Sequence, residues 1–201
     1  MPDPHHRTPR GSDHAGATPP SHRLFIAVAL PPAVLAACRQ LISAAAGAPS
    51  VVAASGRVRW THAENLHLTL RFLGGTDPAL VPAIGTAMQD AASAVTTFPV
   101  VLAGAGTFPR SGPPRTLWLG VTDGRDELTT LVRALDAALA GQVGIEVGTG
   151  PYHPHLSAAA LQAEVAGWRT TFDVRRIHLF RSHLGSGPPR YEELVSIVLP
   201  A

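Results

Sequence analysis

The chain has 201 residues, 45% of them hydrophobic and 15% charged, which excludes a disordered protein and fits one domain or two small lobes. Sixteen basic residues stand against 14 acidic ones, a formal charge of +2, too small for a broad duplex-binding surface. No continuous apolar run approaches the ~20 residues that span a bilayer. His5, His6 and Arg7 have no apolar segment behind them, so no secretory signal is read there. One cysteine, Cys38, cannot form an internal disulfide, and a reducing, cytoplasmic location is expected. Every basic residue is arginine, which suits phosphate but is also what a GC-rich coding sequence yields.

Residues 1–21 hold Pro, His, Gly, Ser and Thr with almost no large apolar side chain, and are expected to be a disordered tail. No Cys or carboxylate cluster with ligand spacing accompanies its histidines. The folded domain, residues 22–201, opens with an apolar β-forming run from Arg23 to Leu30. A helix is predicted over Ala33–Ala46, stopping at Gly47, then strands at Arg57–Trp60 and at Asn65–Leu73, the latter closed by Gly74 and Gly75. Asp77 and Pro78 read as the cap and first residue of a helix to about Ala94.

The second half predicts strands at Phe98–Gly106 and Arg115–Val121, and a helix from Asp123 or Gly124 through Ala140, ended by Gly141. Further strands are expected at His155–Leu161, Thr170–Phe180 and Tyr191–Leu199. The mixture lacks strict β-α-β alternation. An α+β fold with mostly antiparallel sheet is expected, in two pseudo-symmetric lobes with outer helices around a central groove.

Each half carries one His-x-(Thr/Ser) motif in a strand-like segment: His67-Leu-Thr69 and His155-Leu-Ser157. Alternation along a strand puts each histidine and its hydroxyl on one face. If both faces meet at a cleft, two groups titrating near neutrality and two hydroxyls surround one small anion. Such a set serves acid–base catalysis at phosphorus with no metal and no cofactor. A regular strand would also put Arg71 on the face of His67 and Thr69, as a candidate phosphate ligand. Tyr152, His153 and Phe108 are candidate groove residues, as aromatic and polar faces for a nucleotide. Trp118, between two leucines, reads as core; His62, His178 and His183 read as structural or surface residues, and Cys38 as a buried small side chain.

Asn65-Leu-His-Leu-Thr-Leu-Arg-Phe-Leu-Gly74, the upstream Trp60, Arg115-Thr-Leu-Trp-Leu-Gly-Val121 and Tyr152-His-Pro-His-Leu-Ser157 resemble the 2H phosphoesterase superfamily, and within it the RNA 2′,3′-cyclic phosphodiesterases, also called 2′-5′ RNA ligases. The resemblance covers about residues 22–200. It implies metal-independent opening of a 2′,3′-cyclic phosphate at an RNA end to a 2′-phosphate, and the reverse, 2′-5′ ligation, with a 5′-hydroxyl as nucleophile. By the same resemblance His155 is the general base, His67 the general acid, and Thr69 and Ser157 bind phosphate oxygens. The partner is then a single-stranded or tRNA-derived RNA end, with no membrane, and a monomer is the default state. The chain departs from the family pattern at Ala160, where many relatives carry arginine. That departure leaves open a small cyclic nucleotide or ADP-ribose cyclic phosphate as substrate, and a noncatalytic RNA-end binding module is the alternative of another class.

Overall fold

A computed structural model describes residues 21–46, 62–108, 116–146, 152–158 and 167–201. The expected tail, the strand at 57–60, Arg115, and Ala160 lie outside the described residues. The described strands form one eight-stranded sheet, and every pairing in it is antiparallel. In chain order the elements are β1 (His22–Ala29), α1 (Pro32–Ala46), β2 (His67–Thr76), α2 (Val81–Ala92), β3 (Phe98–Phe108), β4 (Thr116–Asp123), α3 (Arg125–Ala138), β5 (His155–Ala158), β6 (Arg169–Val174), β7 (Arg176–His183) and β8 (Arg190–Val198). Their order across the sheet is β6-β3-β4-β5-β2-β1-β7-β8. The α+β class and the antiparallel sheet thus agree with the sequence.

The helices bury one stripe each. Val34, Cys38 and Leu41 of α1, Ile84, Ala87, Met88 and Ala91 of α2, and Leu128, Leu131, Val132 and Leu135 of α3 recur at helical spacing and join one core. Alternate strand residues fill the same core: Leu24, Ile26 and Val28 of β1, Leu68 of β2, Leu119 of β4 and Leu156 of β5. Each fully buried leucine or isoleucine contributes on the order of 2 kcal/mol by removal from water. Burial pushes the Cys38 thiol up to about 11, as befits a small apolar side chain inside a helix stripe.

Three expected boundaries differ from the structure. Gly74 and Gly75 do not close β2, which continues to Thr76. Leu24 pairs with Gly74 and Phe25 with Phe72, so Leu73 is an extra residue, and Gly74 at φ +70° absorbs the bulge. Gly141 does not stop the third helix either: a π-turn carries it through Leu139–Val143 to Gly144, which takes the left-handed conformation at φ +71°. The strand expected over Thr170–Phe180 is two strands, β6 and β7, broken at Arg175, and they lie at different places in the sheet. Asp77 behaves as read, its carboxylate accepting from the Ala79 amide at 2.9 Å. It caps a short 3₁₀ turn, Pro78–Leu80, before α2 begins.

Candidate active site

The two motifs occupy the two middle strands. β2 pairs with β5 through Leu68 and Leu156, the residue between histidine and hydroxyl in each motif. Both leucines are fully buried among the core residues, so alternation turns His67, Thr69 and His155 to the opposite, open face. This pair is at the centre of the sheet order, with three strands on each side. Ser157 lies opposite Trp118 of β4, and its own side chain is outside the described set.

Each histidine faces a small residue on its outer neighbour strand. His67 pairs with Ala29 of β1, and His155 with Gly120 of β4. A Cβ at Gly120 would meet the Ala103 carbonyl oxygen at 2.8 Å, so the position accepts only glycine without a backbone shift. No bulky cross-strand neighbour therefore crowds either imidazole from those positions.

The imidazoles are held alike. His67 Nδ1 lies 2.7 Å from the carbonyl oxygen of Asn65, and His155 Nδ1 lies 2.6 Å from that of His153. A carbonyl only accepts, so Nδ1 carries the proton in both rings, and in the neutral state the lone pair sits on Nε2. Asn65 also donates its side-chain amide to the Pro189 carbonyl at 2.8 Å, tying the residue that orients His67 to the β7–β8 connection. Burial holds His67 below its ordinary value of 6.5, the Asn65 carbonyl opposing and His155 adding to the depression.

His67 and Thr69 line a cavity of about 380 Å³ together with Phe25, Phe72, Tyr191 and Arg23. The Phe25 and Tyr191 rings lie 4.9 and 5.3 Å from that of His67. Phe72 is 68% exposed, an open aromatic face in the cavity wall. On the other side Trp118 lies edge-on to His155, with ring centroids 6.4 Å apart. Trp118 is half-buried and shares the open face with His155, a correction to its reading as core; a leucine neighbour on each side is what strand alternation gives a groove residue as well.

Arg71 does not share the face of His67. Ala27 pairs with Thr69 but Ile26 with Arg71, so Leu70 is a second extra residue, and the face-sharing expected of a regular strand is broken by this bulge. Arg71 is turned with Ile26 toward the helices, where Nε and Nη2 each donate to Asp136 of α3 at 2.5 Å. The bulge puts Phe72, opposite Phe25, on the open face in its place. The Arg71 guanidinium also lies 5.7 Å over the Tyr152 ring.

The remaining candidates fall around the motifs. Tyr152 donates its hydroxyl to the main-chain oxygen of Thr69 at 3.1 Å, joining the approach to β5 to the strand of the first motif. Its burial keeps the phenol protonated. His153 has an exposed side chain and acts on His155 through its carbonyl. Phe108 ends β3 opposite Thr116, and its side chain is outside the described set. His178 and His183, read as structural, bond to Glu193 at 2.9 Å and Glu192 at 2.7 Å on β8. Among the described residues no group of three His, Cys, Asp or Glu is placed to hold a metal, and no helix is long and apolar enough to cross a membrane.

Sequence reasoning missed Asn65, Phe25, Phe72 and Tyr191. Asn65 and Phe72 were visible two residues before His67 and three after Thr69, but their roles depend on a long-range hydrogen bond and on a bulge. Tyr191 lies on β8, separated from β2 by β1 and β7 in the sheet order, so its approach to His67 is invisible to any local pattern.

The antiparallel sheet thus carries one histidine motif on each of its two central strands. The model of the 2′-5′ RNA ligase superfamily matches residues 36–185, and the chain belongs to that family. Relatives include an RNA 2′,3′-cyclic phosphodiesterase of Geobacillus stearothermophilus, 31% identical over 152 residues, which cover 70% of this chain and 47% of the relative. Another of that name, from Methanothermobacter thermautotrophicus, is 27% identical over 70% of this chain and 82% of its own length. The chain thus spans about half the length of the first relative and most of the second. Among solved structures, a phosphoesterase is 26% identical, with TM-score 0.75 over 90% of this chain and 99% of its own. Escherichia coli LigT complexed with 3′-AMP is 28% identical, with TM-score 0.73 over 89% of this chain and 98% of its own.

Proposed function

We propose that this protein opens the 2′,3′-cyclic phosphate at the end of an RNA strand, leaving a 2′-phosphate and a 3′-hydroxyl. The observation that carries the reading is the matched pair of histidines, each with Nδ1–H held by a carbonyl two residues upstream, the tautomer that makes Nε2 the proton-transfer atom. The relatives bearing the name RNA 2′,3′-cyclic phosphodiesterase support the substrate class. An exposed phenylalanine in a cavity wall suits an unstacked base, which fits a single-stranded end.

His155 acts as general base, taking a proton from water onto Nε2 as the water oxygen bonds to phosphorus. The bond from phosphorus to O3′ breaks, and His67 as general acid delivers the proton from its Nε2 to that oxygen. For this His67 must be protonated, although burial disfavours the charge. The bound phosphodiester anion supplies the opposite charge that restores the proton. Thr69 and Ser157 hold the two nonbridging oxygens by their hydroxyls, and no metal takes part. Arg71, turned to Asp136, supports the strand rather than touching the phosphate.

The test is incubation of EDTA-treated protein with an RNA oligonucleotide ending in a 2′,3′-cyclic phosphate, followed by mass and phosphatase analysis of the end. Gain of one water with a 2′-phosphate product is expected. Binding without turnover between pH 5 and 9 would instead identify an RNA-end binding module.

A further inference from the structure

We infer that Arg23 binds a backbone phosphate upstream of the terminal nucleotide, so that the site of the proposed reaction takes an RNA strand in preference to a mononucleoside cyclic phosphate. The inference rests on that proposed reaction for the identity of the strand's end. The β1–β2 register lays the open face out in sequence: His67 beside Ala29, Thr69 beside Ala27, Phe72 beside Phe25, and Gly75 beside Arg23. Ala29 lies six residue steps from Arg23, about 20 Å of strand at ~3.3 Å per residue. The groove therefore runs from a proton-transfer end, past an aromatic stretch, to a cation, and is longer than one cyclic phosphate requires.

Charge favours the same direction. No carboxylate lines this cavity among the described residues, and Arg23, exposed in its wall, has no ion-pair partner among them. The neighbouring cavity of about 470 Å³ shares His67 and Tyr191 but carries Glu64 and Glu193 as well as Arg190. A polyanionic strand leaving the histidines is repelled by those carboxylates and drawn along the Arg23 branch. Aromatic faces interleaved with a cation are the means by which single strands are held without base readout.

The experiment compares kcat/KM for an RNA oligonucleotide and for a nucleoside, each ending in a 2′,3′-cyclic phosphate, in wild type, Arg23→Gln and Arg23→Lys. Loss of one charge-assisted phosphate contact predicts a fall of about tenfold for Arg23→Gln on the oligonucleotide, under about twofold on the nucleoside, and partial recovery in Arg23→Lys. The salt dependence of oligonucleotide binding should also flatten by about 0.7 in log–log slope. An equal effect on both substrates, or none on either, overturns the inference. If wild type turns over neither substrate, the proposed reaction fails by itself. Binding of an RNA ending in a 2′-phosphate then decides about Arg23: an unchanged salt slope in Arg23→Gln overturns its role, and a flattened slope sustains it.

Discussion

Leu68 and Leu156 are directly paired across the two central strands of the sheet. Each is the middle residue of a His-x-(Thr/Ser) motif, so this one register relation places both histidines on the open face and puts each next to the hydroxyl position of the other motif. In an antiparallel pair the neighbours of a paired residue run in opposite directions, which brings Thr69 across from His155 and His67 across from position 157. Two weak local motifs become one site through that pairing.

Replacing either histidine should remove turnover and leave the fold. His67 and His155 lie on the open face, outside the apolar core. His67→Ala and His155→Ala are each expected to slow hydrolysis of the cyclic phosphate by at least about 10²-fold, the usual worth of a positioned acid or base. The double variant should lose little more than the worse single one, because the two groups act as a unit. Circular dichroism should be unchanged in all three, and wild-type turnover in either single variant would contradict the assignment.

The Tyr152 hydroxyl on the Thr69 carbonyl links the second motif's approach to the first motif's strand, with Arg71 and Asp136 behind the ring. Tyr152→Phe removes one neutral hydrogen bond, worth about 1 kcal/mol of stability. If the link sets the spacing of the histidines, kcat should drop severalfold with KM nearly constant. A change in KM alone would show that Tyr152 touches substrate instead.

Two glycines should respond oppositely to alanine. Gly124 precedes α3 at φ +83°, and a Cβ there would meet the Pro99 carbonyl oxygen at 2.5 Å. Gly124→Ala should cost about 1–3 kcal/mol and lower the melting temperature by several degrees. Gly141, in the π-turn, has nothing within 4 Å of its Cβ position and no left-handed φ. Gly141→Ala should be neutral or stabilising by up to about 1 kcal/mol. Thermal melts of the two variants check both signs.

The depressed His67 makes stability depend on pH in a definite direction. Its folded-state value lies below the ordinary 6.5, chiefly through burial. Between those two values the unfolded chain binds the proton and the native state does not, so stability is full above about 6.5 and declines as pH falls through that window. Denaturant titrations from pH 8 to 5 should show this decline, and His67→Gln should flatten it. A wild-type decline of the same size in His67→Gln would assign the proton uptake elsewhere. With a cyclic phosphate bound, the rate profile should be bell-shaped, as paired acid–base catalysis requires.

The sequence by itself determined what depends on near neighbours. The strand and helix periods, the α+β class and the two His-x-(Thr/Ser) motifs are local patterns, and among the described residues the structure agrees with them in element type while moving several boundaries. It also determined which residue types could move protons, since that is chemistry of the side chains themselves. The tertiary structure alone decided which faces the bulges select. One extra residue at Leu70 sends Arg71 to Asp136 and brings Phe72 to the open face, and no local signal distinguishes that strand from a regular one. Nor does the sequence say that Asn65 grips Pro189, 124 positions away, or that Tyr191 and Arg23 share a cavity with His67. Those relations are fixed by strand order, and strand order follows from how the whole core packs, not from any segment of the chain.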